Sequence, residues 1–471
     1  MTVTPTSKEP SNTTLPSRSR PGVLGLIGNT PLVKLQVIDT GPCELFVKLE
    51  SHNPGGSIKD RIGLSMIEAA EAAGHIDSST LIVEATAGNT GLGLALVAAL
   101  KRYRLLLVIP DKMSQEKVTH LKALGAEVVM TRSDVGKGHP QYYQDLAAEI
   151  ARKEGGHFVN QFENPANPLA HETTTAPEIW AQTNGRLDAV VCGVGSGGTI
   201  TGIGNFLRRT APHVDLVLAD PAGSVLAGWV KERVLTDAGS WLVEGIGEDF
   251  LPPICNLDPV KQAYTIDDEE SLLTARTLLR EEGILAGSSS GTLLAAAIRY
   301  CRAQTQPKRV VTFVCDSGSK YLSKMFDDGW MHDQGFLRGV QHGDLRDIIG
   351  RSAETAAVVT VSPSDALIVA FSRMKLYGIS QLPVLDGARV VGILDESDVL
   401  LAAIKDSQAF RRPVQEFMST ALIAVQPKTE VEELLPLFDR GLVPIVRDIE
   451  GKFLGLVTRS DVLSFLRRKF Q

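Results

Sequence analysis

The stretch Asn53-Pro-Gly-Gly-Ser-Ile-Lys-Asp-Arg61 follows an apolar, strand-like run and leads into a helical pattern. Lys59 therefore lies in the first turn of a predicted helix that Ser57 and Asp60 can cap and that Gly74 would end. The positive end of the helix dipole disfavours the ammonium form there, so we expect a lowered pKa and more free amine. A lone lysine at such a place is usually only a solvated surface residue, so a reactive role depends on the rest of the chain.

A glycine-rich loop, Gly193-Val-Gly-Ser-Gly-Gly-Thr199, lies between a predicted strand and a predicted helix. Successive backbone N–H groups in such a loop can bind a dianion, because glycine lets the backbone approach closely and the helix dipole adds to the attraction. We therefore predict a phosphate site at Gly195, Ser196, Gly197, Gly198 and Thr199. A dinucleotide-binding loop is the alternative. It is disfavoured because the loop lies in the middle of the domain and no ribose-binding acid follows about 20 residues later.

Lys59 and the glycine loop together predict one cofactor. Pyridoxal 5'-phosphate needs an amine to hold its aldehyde and backbone N–H groups to hold its phosphate. The sequence therefore indicates a pyridoxal-phosphate enzyme in which Lys59 is both the cofactor's anchor and the catalytic residue.

Two further loops before helices complete the predicted site. In Glu84-Ala-Thr-Ala-Gly-Asn-Thr-Gly91, a helix N-terminus can bind a substrate carboxylate, while Asn89 donates to the cofactor's phenolic oxygen. The predicted substrate-binding residues are Thr86, Ala87, Gly88, Asn89 and Thr90. In Gly287-Ser-Ser-Ser-Gly291 we assign Ser289 to the cofactor's pyridine nitrogen, where a hydroxyl favours β-elimination over transamination. Simple helix capping is the alternative for both loops.

Apolar, β-rich runs alternate with helical stretches from Gly22 to about Trp330, which is typical of an open α/β fold. The predicted strands are Leu45–Leu49, Leu81–Glu84, Leu105–Ile109, Glu127–Met130, Ala189–Cys192, Leu216–Ala219 and Val310–Cys315. Ligands of such folds bind at the carboxyl ends of strands, so we expect the motif loops to share one crevice.

The bulk composition limits the classes of function. A chain of 471 residues should form two or three domains, and its net charge of -7 provides no general attraction to nucleic acid or anionic lipid. We therefore expect small-molecule substrates, no membrane segment and no nucleic acid partner. The five cysteines contain no Cys-x-x-Cys pair, which disfavours disulfides and a metal site and favours the cytoplasm. Residues 1–21, rich in proline and serine, are predicted to form a disordered tail.

After Trp330 two segments repeat with an offset of about 63 residues. Their ends match closely, Val391-Gly-Ile-Leu-Asp-Glu-Ser-Asp-Val-Leu400 against Leu454-Gly-Leu-Val-Thr-Arg-Ser-Asp-Val-Leu463. Each copy is predicted as β-α-β-β-α, and neither could bury its sheet alone. We therefore expect the two copies to pack as a pair.

The repeat resembles a tandem CBS-domain pair. That resemblance implies an adenosine-containing ligand, S-adenosylmethionine or an adenine nucleotide, with a carboxylate on the ribose hydroxyls. Thr458 and Asp461 match the expected element, whereas the first copy has Asp395 in place of a threonine or serine before Asp398. The candidate nucleotide residues are therefore Asp398, Thr458 and Asp461, and helix capping is an equally good interpretation.

The order of motifs in residues 22–330 resembles the fold-type II pyridoxal-phosphate enzymes of the cysteine synthase and cystathionine β-synthase family. The shared motifs are Gly28-Asn-Thr-Pro-Leu32, Gly56-Ser-Ile-Lys-Asp60, Gly88-Asn-Thr-Gly91, Asn167-Pro-Leu-Ala-His171 and Gly195-Ser-Gly-Gly-Thr199. The resemblance implies two open α/β subdomains followed by an α+β CBS pair. The expected boundaries are 1–21 for the tail, 22–335 for the catalytic domain, 336–350 for a linker, and 351–407 and 408–471 for the CBS motifs.

The segment Asp220-Pro-Ala-Gly-Ser224 and the CBS pair resemble the β-synthase branch of the family. That resemblance implies the condensation of L-serine with L-homocysteine to give L-cystathionine and water, with hydrogen sulfide production as a side activity and a homodimer or larger homo-oligomer. The alternatives are a cysteine synthase that uses O-acetylserine and sulfide, and a nucleotide-sensing protein with an inert catalytic domain.

Three departures from the family pattern concern the active site and the cofactors. Ala87 replaces a usual serine in the carboxylate loop, and Glu172 replaces a usual tyrosine at the substrate entrance. The chain has neither cysteine nor histidine before Cys43, so it lacks the pair by which the animal enzymes ligate haem. We expect no haem.

Overall fold

The computed structural model describes residues 22–86, 88–111, 113, 115–136, 138–337, 342–353 and 358–470. The chain divides between Leu322 and Ser323 into two compact units. The predicted tail and Ala87 lie outside the described residues.

The first unit contains two sheets, as predicted for two open α/β subdomains. Its strands are β1 (Leu32–Lys34), β2 (Glu44–Leu49), β3 (Leu81–Ala85), β4 (Arg104–Pro110), β5 (Glu127–Thr131), β6 (His157–Phe158), β7 (Ala189–Gly193), β8 (Asp215–Pro221), β9 (Val260–Ile266) and β10 (Arg309–Val314). One sheet has the order β1-β2-β10-β7-β8-β9 and is parallel except for β1. The other has the order β5-β4-β3-β6 and is parallel throughout.

Helices cover both sheets, and parallel strands buried in this way are apolar on both faces. The helices are α1 (Lys59–Ala72), α2 (Asn89–Lys101), α3 (Gln115–Ala123), α4 (Tyr143–Glu154), α5 (Ala166–Ala170), α6 (Ala176–Gln182), α7 (Gly198–Thr210), α8 (Leu226–Glu232), α9 (Asp268–Glu282) and α10 (Ser288–Arg302). A π-helical turn, His171–Thr175, joins α5 to α6, and short 3-10 turns form at Gly22–Leu26, Glu50–His52 and Gly318–Tyr321.

All seven predicted strands are present, within one or two residues at each end. The prediction missed three strands. β1 and β6 have only three and two residues, too few to show a period. β9 exposes polar side chains at the edge of its sheet, so its apolar run is interrupted.

Helices α1 and α2 pack backbone to backbone, and this contact brings two motif loops together. A Cβ on Gly93 would lie 2.5 Å from the carbonyl oxygen of Lys59, and a Cβ on Gly63 would lie 2.7 Å from the backbone of Gly93. Only glycine allows this approach. The N-termini of both helices, which carry Lys59 and Asn89, therefore lie side by side.

The second unit contains the sequence repeat. Its helices are α11 (Asp328–Asp333), α12 (Leu367–Tyr377), α13 (Glu396–Lys405), α14 (Leu435–Asp439) and α15 (Arg459–Phe470). Its strands are β11 (Gln381–Asp386), β12 (Arg389–Asp395), β13 (Ala424–Val425), β14 (Ile445–Arg447) and β15 (Phe453–Leu456), and 3-10 turns form at Leu345–Asp347, Ala409–Arg411, Val414–Glu416 and Val431–Leu434.

The two copies pack against each other, as predicted. Val390 of the first copy shares an apolar cluster with Ile445 and Phe453 of the second, and Arg447 donates to the carbonyl of Val390 at 3.3 Å. The first strand expected in the first copy is reduced to an isolated bridge between Val361 and Val384. Each copy thus supplies apolar surface that the other buries.

Candidate active site

Lys59 is the first residue of α1 and is half-buried. Burial lowers the pKa of its ammonium group, although the acidic groups of Cys315 and Asp316 oppose the shift. The direction of the shift is as predicted, and burial is its largest cause. The expected capping box is not formed: Ser57 Oγ accepts from the Lys59 N–H at 3.2 Å, whereas the Asp60 carboxylate accepts from Gly55 at 2.5 Å.

A buried ionic network lies beneath this end of α1. Arg61 donates to both oxygens of Glu50 at 2.8 Å and also reaches Glu178, which pairs with Lys48 at 2.8 Å. Burial alone would raise the pKa of Glu50, but the guanidinium of Arg61 outweighs it and holds that pKa at about 2. Thr30 of the Gly28–Leu32 motif donates to Glu50 at 2.7 Å. The sequence analysis missed this network, for which the lysine Lys48 within the apolar strand β2 was a signal.

The glycine loop connects β7 to α7 and has the features of a phosphate site. Gly197 has φ of +91°, and a Cβ on Gly198 would collide with the Asn167 side chain. Asn167 donates to Ser196 Oγ at 2.9 Å and fixes the loop. Within the described ranges, no acceptor takes up the N–H groups of Gly197, Gly198 and Thr199. Unused backbone donors in a loop rich in glycine fit the phosphate of pyridoxal phosphate.

His171 supports the phosphate loop from the π-helical turn. Its Nε2 lies 3.2 Å from Thr199 Oγ1, and its Nδ1 lies 2.9 Å from Thr175 Oγ1. Burial, together with the positive charge of Lys59, lowers the pKa of His171 to about 3. The imidazole is therefore neutral near pH 7 and can donate to one hydroxyl while it accepts from the other.

The predicted carboxylate loop lies between β3 and α2. Thr86 Oγ1 accepts from the Gly88 N–H at 3.1 Å, and Thr90 Oγ1 donates to Gln161 at 2.7 Å. The Thr90 hydroxyl already donates to a protein acceptor, so the backbone N–H of Thr90 is the donor that remains for a carboxylate. Asn89 has partners at both ends of its amide: Nδ2 donates to Asp316 Oδ2 at 2.8 Å, and Oδ1 accepts from Lys320 at 2.8 Å. The second N–H of this amide could serve the cofactor.

The three serines that open α10 have three different partners. Ser288 Oγ accepts from the Glu244 N–H at 3.0 Å, and Ser290 Oγ accepts from the Cys315 N–H at 2.9 Å. Ser289 is buried and contacts the Cys315 thiol, whose pKa burial raises to about 12. No serine side chain caps α10. Ser289 thus approaches the same cysteine that faces Lys59, so the two predicted cofactor contacts lie near each other.

Glu172, at one of the departures from the family pattern, is bound to the helix that follows the glycine loop. Its carboxylate pairs with Arg209 and accepts from Asn205 at 3.0 Å. The other departure, Ala87, lies outside the described residues.

The second unit contains a cavity of about 560 Å³ that Thr458 and Asp461 help to line. Asp461 accepts from the hydroxyl of Thr458 at 2.6 Å and from its N–H at 2.7 Å, as a helix cap would. Asp398 is not among the lining residues, and it caps α13 together with Asp395. The two copies therefore differ, and only the second contributes its candidate residues to the cavity.

None of the helices in the described part of the chain has the length and apolar character that a membrane span requires. The same residues contain no group of three or more histidine, cysteine or acidic side chains that could hold a metal ion.

Comparison with known proteins agrees with this geometry. The profile of the pyridoxal-phosphate dependent enzyme family matches residues 23–316, and that of the CBS domain matches residues 346–405 and 414–468. A Dictyostelium discoideum protein named cystathionine beta-synthase is 34% identical over 464 residues, which cover 95% of this chain and 93% of the relative.

Two solved structures match the first part of the chain. An O-ureido-L-serine synthase has 36% identity and a TM-score of 0.62, with 66% of this chain and 96% of that chain covered. A hydrogen sulfide-producing enzyme from Fusobacterium nucleatum has 37% identity and a TM-score of 0.59, with 64% and 100% covered. The chain therefore belongs to the fold-type II pyridoxal-phosphate-dependent enzymes, in the group that includes the cystathionine β-synthases and carries a C-terminal CBS pair.

Proposed function

We propose that this chain condenses L-serine with L-homocysteine to form L-cystathionine and water. The observation that carries the proposal is a half-buried lysine with a lowered pKa, whose backbone packs against the helix that follows the carboxylate loop. Support also comes from the relative named cystathionine beta-synthase, which matches both the catalytic and the CBS regions. In the reaction the Cβ–O bond of serine breaks, a Cβ–S bond forms, and the thiol proton leaves with the hydroxyl as water.

Different residues of the chain serve the chemical steps and the binding of cofactor and substrate. Bound pyridoxal phosphate would supply the electron sink for the carbanion at the serine Cα. Lys59 takes the α-proton, assists the loss of the hydroxyl and returns a proton at the end, for which a lowered pKa is suited. In the loop from Thr86 to Thr90, the backbone N–H groups of Asn89 and Thr90 hold the substrate carboxylate, because those of Thr86 and Gly88 donate within the protein. The loop from Gly195 to Thr199 holds the phosphate, and Ser289 meets the pyridine nitrogen without placing a charge there.

The test is the identity of the product. Serine and homocysteine should give cystathionine with the purified protein, and Lys59→Ala should abolish both this product and the visible absorption band of the bound cofactor. A Lys34→Met control, at an exposed lysine on β1, should retain both. If O-acetylserine and sulfide give cysteine while serine and homocysteine give no cystathionine, the chain is a cysteine synthase instead.

The similarity to a hydrogen sulfide-producing enzyme favours sulfide as a second product. Because a hydrogen sulfide-producing enzyme is 37% identical over the catalytic region, we propose sulfide release from cysteine as a side activity. Sulfide formed from cysteine and homocysteine, measured beside cystathionine, tests it. The third alternative, an inert nucleotide-sensing protein, is disfavoured by the family match and by Lys59, and a cofactor band that disappears in Lys59→Ala would exclude it.

We further propose that the cavity of the second unit binds an adenine nucleotide or S-adenosylmethionine. Thr458 and Asp461 line this cavity, and burial raises the pKa of the Asp461 carboxyl, so hydrogen bonds from ribose hydroxyls would offset the cost of ionising it.

The remaining proposals concern assembly and location. We propose a homodimer or larger homo-oligomer, which light scattering of the purified protein would measure. A cytoplasmic location is supported by the five cysteines, all of which are free thiols in the structure. Fluorescence microscopy of the tagged protein tests it.

A further inference from the structure

Lys320 follows the strand β10 and binds two of the motif loops at once. Its Nζ donates to Asn89 Oδ1 at 2.8 Å and to the carbonyl oxygens of Gly56 and Gly55 at 3.3 and 3.4 Å. The ammonium group therefore connects the carboxylate loop to the segment that leads into Lys59. None of the roles proposed above uses Lys320.

Asp316, four residues earlier, holds the other end of the same amide. Its Oδ2 accepts from Asn89 Nδ2 at 2.8 Å and from the Tyr321 hydroxyl at 2.8 Å. Asp316 is fully buried, so its position is well defined. Because an ammonium group can only donate and a carboxylate can only accept, the amide of Asn89 has a single possible orientation.

This arrangement has a chemical consequence for Asn89. A cation on the amide oxygen and an anion on one amide N–H polarise the group and strengthen the remaining N–H as a donor. That N–H is the one left for the phenolic oxygen of the cofactor. A change at Lys320 would release the amide to rotate and would remove the polarisation.

We propose that Lys320 is a positioning residue that, with Asp316, orients and polarises Asn89 toward the cofactor's phenolic oxygen. The proposal rests on the proposed role of Asn89 in cofactor binding. It does not depend on which amino acids react.

The test is a double-mutant cycle between Lys320→Met and Asn89→Ala, read from the visible absorption band of the cofactor-loaded protein across pH. No amino-acid substrate is added, so a failure of the proposed condensation cannot be mistaken for a failure of this proposal. Lys320→Met should shift the band or its pH midpoint, because the amide of Asn89 loses its charged donor. In the Asn89→Ala background it should add almost nothing.

Two results would overturn the proposal: a band and pH midpoint that are unchanged in Lys320→Met, or an equal effect of Lys320→Met with and without the Asn89 side chain. Lys34→Met, which removes an exposed lysine with one ion pair, is the matched control and should change neither quantity. If circular dichroism shows that Lys320→Met does not fold, Lys320→Gln replaces it in the same cycle. Lys320→Arg keeps a charged donor, so its absorption band should lie closer to that of wild type than the band of Lys320→Met or Lys320→Gln does. A band that is no closer to wild type would also contradict the proposal.

Discussion

At the scale of single residues, burial controls the protonation of Glu84. Glu84 on β3 is fully buried, and among the described residues its Oε2 has no hydrogen-bond partner. Burial raises its pKa from 4.5 to about 8, although Gln161 opposes the shift. Near neutral pH the side chain is therefore a neutral acid just before the carboxylate loop.

This carboxyl predicts a pH-dependent stability. Since the folded pKa lies above the unfolded one, the folded state binds the proton more tightly between pH 4.5 and about 8. The contribution of the protonated Glu84 to the free energy of unfolding is fully present below pH 4.5 and is lost as pH rises through about 8. Glu84→Gln should remove this dependence, so that its free energy of unfolding exceeds that of wild type by a few kcal/mol above pH 8.

Urea unfolding of the apoprotein at pH 6 and pH 9 measures the difference. Glu127→Gln, a half-exposed glutamate on β5, is the control and should follow wild type at both values. If the free energies of unfolding of Glu84→Gln and wild type differ by the same amount at pH 6 and pH 9, Glu84 is ionised in the folded protein.

At the scale of elements, α1 is held by charges that are largely removed from water. Arg61→Met would leave the fully buried carboxylate of Glu50 and the partly buried one of Glu178 without their guanidinium partner. We expect a loss of about 3–5 kcal/mol in the free energy of unfolding. Arg132→Met removes an exposed pair with Asp134 and should cost about 0.5 kcal/mol or less. Similar urea midpoints for the two variants would contradict the argument.

The glycine loop makes a second prediction at this scale. In Gly198→Ala the new Cβ would displace Asn167, which holds Ser196 and the carbonyl of Gln161. We expect the affinity for pyridoxal phosphate to fall by about tenfold or more, because the N–H groups of the loop would no longer converge. Gly136→Ala, where a Cβ meets no atom of a described residue within 4 Å, is the control. Absorbance titration of the two apoproteins compares them, and equal affinities would rule out the phosphate site.

At the scale of the whole molecule, the asymmetry between the CBS copies predicts one nucleotide site rather than two. Calorimetry of the full chain should detect heat from an adenine nucleotide or S-adenosylmethionine, and Asp461→Ala should abolish it. Asp398→Ala removes a similar helix cap outside the cavity and should bind as wild type does. If the wild-type chain gives no heat with either ligand, the CBS pair does not bind a nucleotide. If both variants lose binding, the loss reflects a structural effect that the two substitutions share.

Much of this fold could be predicted from local pattern. The buried parallel strands are continuous apolar runs, the glycine loops follow strands directly, and the CBS copies repeat the same glycines, prolines and aspartates. These signals are local because a strand period, a close backbone approach and a turn each depend on a few adjacent residues. Where the local signal was weak, as in β1, β6 and β9, the prediction failed.

The sequence by itself therefore determined the order of elements, the lysine and glycine loops that fit the cofactor, and the repeat. Only the tertiary structure decided which side chains contact each other. Asn89 binds Asp316 and Lys320, which are more than 200 residues away in the chain, and Arg61 binds Glu178, 117 residues away. The tertiary structure also decided the burial of Lys59, which is the largest cause of its lowered pKa. The physical reason is that burial and charge pairing depend on groups brought together from distant parts of the chain, and no short stretch of sequence contains both partners.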